Sequence, residues 1–540
     1  MNAKVLIFFC LGFGFVSSLK AQPYTKQDSL RGSITPERIW WDLTYYDLEV
    51  NISPETKSIF GKNTIHYKVL NDNNRLQIDL QPPMVITKVT QQSEILDVDS
   101  DGNVHFVKLK KTQPINSIQQ IEVHFEGQPK EAVNAPWDGG FSWKKDKNGT
   151  DFIATSCQGL GASVWWPNKD HMYDEVDSMQ IKVTVPKHLT AVANGRLKNI
   201  LKSEKKSTFT WFVSNPINNY GVNVNVGDYV RFSEVYDGEK GPLDMDYYVL
   251  KHHLEQAKTQ FLDAPKMMKA FEHWFGPYPF YEDSFKLVEV PYLGMEHQSS
   301  VTYGNQFKNG YLGRDLSGTG WGLKFDFIII HEAGHEWFAN NITNKDIADM
   351  WIHESFTAYS ENLFLDYYYG KQASAEYVIG TRKRIRNDRP IIGDYNVNAE
   401  GSSDMYYKGA NMIHMLRQLI NDDNKWRKTL RLMNDKFYHQ TVDTQQIETF
   451  LAKEIGVNLN PFFDQYLRDT RIPVLEYKLD SGTFSYRWNN VVKGFNMPIE
   501  IELDMTKKWL NPTQDWQTKT INSSTITFDE DYYITTKKIK

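Results

Sequence analysis

Residues Phe325-Asp326-Phe327-Ile328-Ile329-Ile330 run without a break into His331-Glu332-Ala333-Gly334-His335. A run this apolar belongs in a core, and the polar groups that follow must be buried with it. Buried imidazoles and a buried carboxylate need partners to offset their lost hydration. On a helix, positions i and i+4 lie one above the other on a single face. His331 and His335 can therefore reach one metal ion, while Glu332 sits about a quarter-turn round, beside the water such an ion binds. A surface helix carrying two histidines is the competing reading, and the apolar run argues against it.

A catalytic zinc site takes three protein ligands and leaves the fourth position to water. Glu354 offers the third. Eighteen residues separate it from His335, enough for the first helix to finish, a loop at 340–346 and an antiparallel return. It lies in Trp351-Ile352-His353-Glu354-Ser355-Phe356-Thr357-Ala358-Tyr359-Ser360-Glu361, which reads as a helix. Glu361 follows by nearly two turns and falls on the same face, placed to accept the free N–H of a ligating histidine. For Glu361 the alternative is a solvated helix carboxylate. The expectation is one zinc ion per chain, held by His331, His335 and Glu354.

The remaining sequence frames this site. The chain has 540 residues, a formal charge of −6, 24% charged and 40% hydrophobic residues. These values exclude a disordered chain and a polytopic membrane protein, and there is no basic excess for a nucleic-acid partner. Two cysteines build neither a disulfide framework nor a cysteine zinc site, and Cys157 reads as a packed thiol. Lys4, the apolar run 5–16 and the small residue Ala21 read as an export leader over 1–21, cleaved between Ala21 and Gln22. The run is shorter than the roughly 20 residues a spanning helix needs, so the mature protein is expected in the periplasm or outside the cell, with no membrane segment. Period-two alternation marks 22–245 as all-β. Helical spacing dominates 246–470, and strands return over 471–540.

A second segment bears on chemistry. Gly294-Met295-Glu296-His297-Gln298 follows a strand-like run at 285–290 and precedes the zinc helix. Removing a residue from a peptide's N-terminus requires a free α-ammonium group to be held at a fixed distance from the metal. A carboxylate does this through a charge-assisted hydrogen bond, and an edge strand there can pair with an extended peptide. In isolation a turn glutamate is the plainer reading; its place ahead of the zinc helix reverses that.

Together these segments resemble the aminopeptidase N-like zinc peptidases, the gluzincin aminopeptidases that include leukotriene-hydrolysing relatives. The resemblance covers roughly 40–475. It rests on the 331–335 helix, the gap to Glu354, Trp337-Phe338-Ala339-Asn340-Asn341-Ile342-Thr343 and Phe275-Gly276-Pro277-Tyr278-Pro279. It rests also on the match of Gly294-Met295-Glu296 to the family's Gly-x-Met-Glu-Asn, with Leu293 for the first Gly and His297 for Asn. The implied fold is multidomain α+β: an N-terminal β-saddle or sandwich, an α-rich thermolysin-like zinc domain and a small C-terminal β domain. Tyr406-Tyr407-Lys408-Gly409 matches the family's Tyr-x-Lys-Gly, which implies that Tyr406 donates to the oxyanion. Cys157-Gln158-Gly159, ahead of Trp165-Trp166-Pro167, resembles the segment whose glutamine helps form the amine pocket.

The resemblance therefore implies a secreted zinc aminopeptidase acting on peptides with a free N-terminus. Glu332 is the implied general base, with Glu296, Gly294, Met295 and Gln158 on the substrate. A zinc endopeptidase, an epoxide hydrolase and a non-catalytic peptide-binding module are the alternatives. Larger members carry a C-terminal helical domain that roofs the cleft. The roughly 70 residues after Arg471 alternate like strands, so a short form lacking that roof is expected, with an open cleft that gains little from the substrate's C-terminus.

Overall fold

The computed structural model describes residues 24–480, 482–503, 506–521 and 525–540; the expected leader, 1–21, lies outside them. Burial alternates along Trp41–Ser53, Ser178–Pro186 and Lys206–Val213, as a sheet with one packed face requires. Among the described residues these strands belong to an eight-stranded sheet that also contains Ser58–Val69 and Ile118–Gly127. It is mostly antiparallel, with Trp41–Ser53 running parallel to Ser178–Pro186. A smaller sheet orders Thr190–Ala193, Val224–Gly227, Asp151–Ser156 and Gly140–Lys145, and the turn leaving Asp151–Ser156 carries Gln158.

The chain passes from this β unit to the next within a hairpin. Gly241–Leu250 pairs with Tyr229–Gly238 on one side and with Phe285–Glu289 on the other, so positions 245 and 246 lie inside one strand. The sheet continues to Val301–Tyr303 and ends on Gly294–Met295. The run at 285–289 is thus interior, and the edge strand is the segment just before Glu296. Val288, Val290, Tyr292 and Met295 pack into the core of the first β unit, which draws the edge strand up against it.

The helical part contains α1 (Leu254–Gln260), α2 (Asp263–Phe275), α3 (Phe327–Gly334), α4 (Trp351–Tyr369) and α5 (Lys371–Thr381). It continues with α6 (Tyr407–Ile420), α7 (Asp423–Lys436), α8 (Thr444–Ile455) and α9 (Asn460–Leu467). α3 starts where Asp326 caps it, its carboxylate accepting from the amides of Ile328 and Ile329. Ile328, Ile329 and Ile330 are fully buried, worth on the order of 1.5–3 kcal/mol apiece. That sum is enough to hold polar neighbours in the core. After Val474, two small sheets close the chain, one with Thr483–Asn489 at its centre and one with Ile499–Leu503. They share a continuous core with the helices through Tyr466, Phe495 and Tyr533, and Arg382 donates to the carbonyls of Glu530 and Asp531.

Candidate metal centre

α3 and α4 bring His331, His335 and Glu354 together, with their ligand atoms all within 4.8 Å of one another. His335 Nε2 lies 3.4 Å and His331 Nε2 3.8 Å from Glu354 Oε2. The outer nitrogen of each ring is already committed. His331 Nδ1 donates to Glu361 Oε1 at 2.8 Å, and Glu361 Oε2 in turn accepts from the Tyr377 hydroxyl at 2.6 Å. His335 Nδ1 donates to the Phe338 carbonyl at 3.0 Å and lies 3.0 Å from Thr357 Oγ1. These bonds leave both Nε2 atoms as bare acceptors turned inward. Glu354 Oε2 is buried with no hydrogen-bond partner among the described residues. Three acceptors facing one another without a proton between them are a cation's donor set.

The bond from His335 depends on a departure from helical geometry. The spacing predicts a helix through 321–341, but the path breaks at Phe338 (φ −128°, ψ 81°) and Ala339 (φ 153°, ψ −50°). The break frees the Phe338 carbonyl from the helical ladder to receive His335. Irregular turns inside helices recur at functional sites for this reason.

Glu332 is buried beside the three ligands, and burial pushes its carboxyl up to about 7, with the Glu296 charge adding to the effect. Gly294 makes this closeness possible: a Cβ there would stand 2.6 Å from Ile328 Cγ2 and 3.1 Å from Glu332 Oε1. Glu296 lies within ligand distance of Glu332 and His335. Its Oε1 accepts from Gln158 Nε2 at 2.5 Å and from the Tyr220 hydroxyl at 3.2 Å. Gln158 Nε2 also stands 3.5 Å from Glu354 Oε1, and Asn340 Nδ2 holds the Glu296 carbonyl at 2.9 Å. His297 is fully buried, and burial pushes its imidazole down to about 3, so it is a neutral packing group. Cys157 is buried and donates to the Tyr220 carbonyl.

Tyr406 stacks on His331, with ring centroids 6.0 Å apart at 26°. Burial and the neighbouring Glu354 and Glu296 charges hold its hydroxyl well above the usual phenol range, keeping the proton on. Tyr407 opens α6 and lies beneath Arg384 instead. One cavity of ≈ 720 Å³ takes in Gln158, Met295, Glu296, Glu332, the three ligand residues and Tyr406. Tyr220, Thr357, Tyr377 and Asn340 also serve this cluster. Asn340 and Thr357 lie in segments the sequence singles out, but nothing in the local sequence marks Tyr220 and Tyr377, and the role of all four is set by tertiary contacts.

Residues 43–220 match the Peptidase M1 N-terminal domain, and residues 260–466 match the Peptidase family M1 domain. The chain belongs to peptidase family M1. Among M1 relatives it is 23% identical over 464 residues to the puromycin-sensitive aminopeptidase of Caenorhabditis elegans, covering 80% of this chain and 47% of that protein. A probable aminopeptidase 2 of Sulfurisphaera tokodaii is 20% identical over 449 residues, 82% of this chain and 50% of its own length. The chain thus spans about half the length of these two relatives. Leukotriene A-4 hydrolase of Xenopus laevis is 22% identical over 443 residues, with 77% and 68% covered. The M1 zinc metallopeptidase of Deinococcus radiodurans superposes with a TM-score of 0.67 at 19% identity, over 81% of this chain and 95% of that one. A mutant of it has been solved with a Tyr-Ser-Ala substrate. This likeness shows the shared M1 fold. Zinc, the metal of the family, fits the two bare imidazole nitrogens and the unpartnered carboxylate oxygen described above.

Proposed function

We propose that this M1 chain is an exported zinc aminopeptidase that removes single residues from the free N-termini of peptides. The observation that carries the reading is the buried carboxylate of Glu296, fixed by Gln158 and Tyr220 directly beside the metal ligands. A carboxylate there suits a substrate's α-ammonium group, and it would serve no purpose in an enzyme that cuts internal bonds. The Gly294–Met295 edge strand is available to pair with the peptide backbone.

His331, His335 and Glu354 would hold the zinc, which when bound would supply Lewis acidity to a carbonyl and to water. Glu332 takes the proton from the attacking water and returns it to the nitrogen of the scissile bond, so that the C–N bond breaks to a neutral amine. The Tyr406 hydroxyl donates to the oxyanion as the carbonyl carbon becomes tetrahedral. Glu361 and Tyr377 keep the His331 ring turned with Nε2 inward.

Metal analysis and one pair of substrates test this reading. The purified protein should contain one zinc per chain and hydrolyse an alanine anilide. The same substrate acetylated on its α-nitrogen should be cleaved at least about a hundredfold more slowly. Efficient cleavage of acetylated peptides at internal bonds would replace the proposal with an endopeptidase. Zinc without hydrolysis of either substrate would leave a binding module.

A further inference from the structure

The cavity that holds the zinc ligands has a second charged wall, opposite in sign to its floor. Lys383, Arg384 and Arg386 line it together with Glu296, Glu332 and Glu354. All three cations are exposed to the cavity, and none forms an ion pair among the described residues. Hydrogen bonds set the directions of Lys383 and Arg384. Arg384 Nε donates to the Leu316 carbonyl at 3.0 Å and Lys383 Nζ to the Ser317 carbonyl at 2.8 Å, leaving the outer guanidinium nitrogens of Arg384 without a hydrogen-bond partner among the described residues. The backbone amide of Arg386 is held by Asp404 at 2.9 Å. The turn carrying them is pinned from behind by Arg382, which faces the C-terminal sheets.

The wall connects to the site through His331, whereas the Glu296 and Gln158 pair meets it at His335 and Glu354. Glu296 and Gln158 sit against His335 and Glu354. Arg384 lies over Tyr407 and beside Tyr311. Tyr311 packs edge-on to Phe327 at 5.4 Å, and Phe327 stacks on His331 at 5.1 Å. A peptide with its ammonium group on Glu296 and its leaving portion extended past His331 would therefore meet the cations. The carboxylates near the wall are otherwise engaged: Asp404 accepts from the amides of Arg386 and Asn387, and Asp388 from Ser402. Glu400 also lines the cavity, its carboxyl raised by burial and by Glu354, with the Arg389 charge opposing them.

Building on the aminopeptidase reading, we propose that Lys383, Arg384 and Arg386 form a carboxylate-binding subsite for the part of the peptide that leaves. The enzyme thereby prefers substrates with an anion within two residues after the scissile bond. That anion is the terminal carboxylate of a short peptide or an acidic side chain in a longer one. The exposed Arg384 guanidinium, its Nε anchored on the Leu316 carbonyl, is preorganised for such a group, and Lys383 and Arg386 add their charge beside it. This revises the expectation that the substrate's C-terminus contributes little.

Two arms separate the sources. Tri-alanine as the free acid should exceed its C-terminal amide in kcat/KM by at least about tenfold. In amidated tetrapeptides Ala-Ala-X-Ala, aspartate at X should exceed asparagine by a similar factor. A preference in one arm alone assigns the source, and ratios near one in both arms overturn the subsite. The R384Q/R386Q double variant should bring the ratios close to one, as should about 0.5 M salt with the unmutated enzyme, which screens exposed charges. Unchanged ratios in a folded variant overturn the assignment to these residues. Calorimetry of the free-acid and amidated tripeptides on the metal-replete E332Q protein reads the same preference as affinity. It decides the subsite even where no peptide is hydrolysed, an outcome that would instead sink the aminopeptidase reading.

Discussion

Glu332 and Glu296 are carboxylates in one buried cavity, yet their surroundings suit them to different work. Glu296 has its Oε1 engaged by Gln158 and Tyr220, a fixed anion. Glu332 has no such bonds among the described residues and is pushed up to about 7 by burial, a group able to take and return a proton. Glu332→Gln should keep the zinc and bind peptides with near-normal affinity while kcat falls at least about a hundredfold. Near-native turnover in a metal-replete variant would remove Glu332 from the mechanism. Glu296→Ala should instead lower kcat/KM for free-amine substrates by at least about tenfold and narrow the advantage they hold over acetylated ones. A loss shared equally by blocked and free substrates would speak against an amine pocket.

At the scale of elements, the metal centre depends on how closely α3 approaches α4. Gly334 faces α4 where a Cβ would meet Ser360 Oγ at 2.5 Å and Thr357 Cγ2 at 3.2 Å, and Thr357 stands behind His335. Gly334→Ala should therefore force the helices apart, costing about 1–3 kcal/mol of stability and weakening zinc retention against a chelator. Removing the obstructing oxygen in Gly334→Ala/Ser360→Ala should recover a good part of both losses. Full stability and zinc affinity in the single variant would show that the contact does not set the helix spacing. Much at this scale was legible from the sequence. The helix read over 351–361 came out as α4, and the helical spacing of 246–470 as the run of helices from α1 to α9, while the predicted helix over 321–341 came out shorter. Asp326 has the chemistry of an N-cap and starts α3 late, and a tertiary demand, the His335 bond to Phe338, breaks its continuation.

Over the whole molecule, the N-terminal segment and the first β unit meet around His171. Its Nε2 donates to the Gly32 carbonyl at 3.1 Å, while Nδ1 accepts from the Tyr173 amide at 3.2 Å, an arrangement open only to the neutral ring. Burial and then the Arg38 charge push its pKa down to about 3, against about 6.5 in an unfolded chain. Between those values the unfolded state binds the extra proton, so stability is lost as pH falls below 6.5. This histidine alone should account for up to about 2 kcal/mol between pH 7 and 5. Urea titrations should show His171→Gln losing correspondingly less over that interval; identical pH profiles would dismiss the assignment. The proposed export makes its own prediction, that the secreted protein begins at Gln22 by mass spectrometry. Recovery of the chain inside the cell with Met1 intact would contradict it.

The clustering of His331, His335 and Glu354 was within reach of the sequence because its geometry is local. His331 and His335 are one helical turn apart, and Glu354 with Glu361 repeats that logic on the next long helix. The order of β, helical and β units was legible for the same reason, since periodicity reports which face of each element is buried. The tertiary structure decided what no spacing encodes. Gln158 reaches Glu296 across 138 positions and Tyr220 reaches it across 76, contacts made only when the edge strand docks on the first β unit. The carbonyl freed at Phe338 and the cationic wall facing the zinc ligands are of the same kind. A helix repeats every few residues, so its face can be read from the chain; a cavity is enclosed by segments far apart in sequence, and its contents exist only once they have packed.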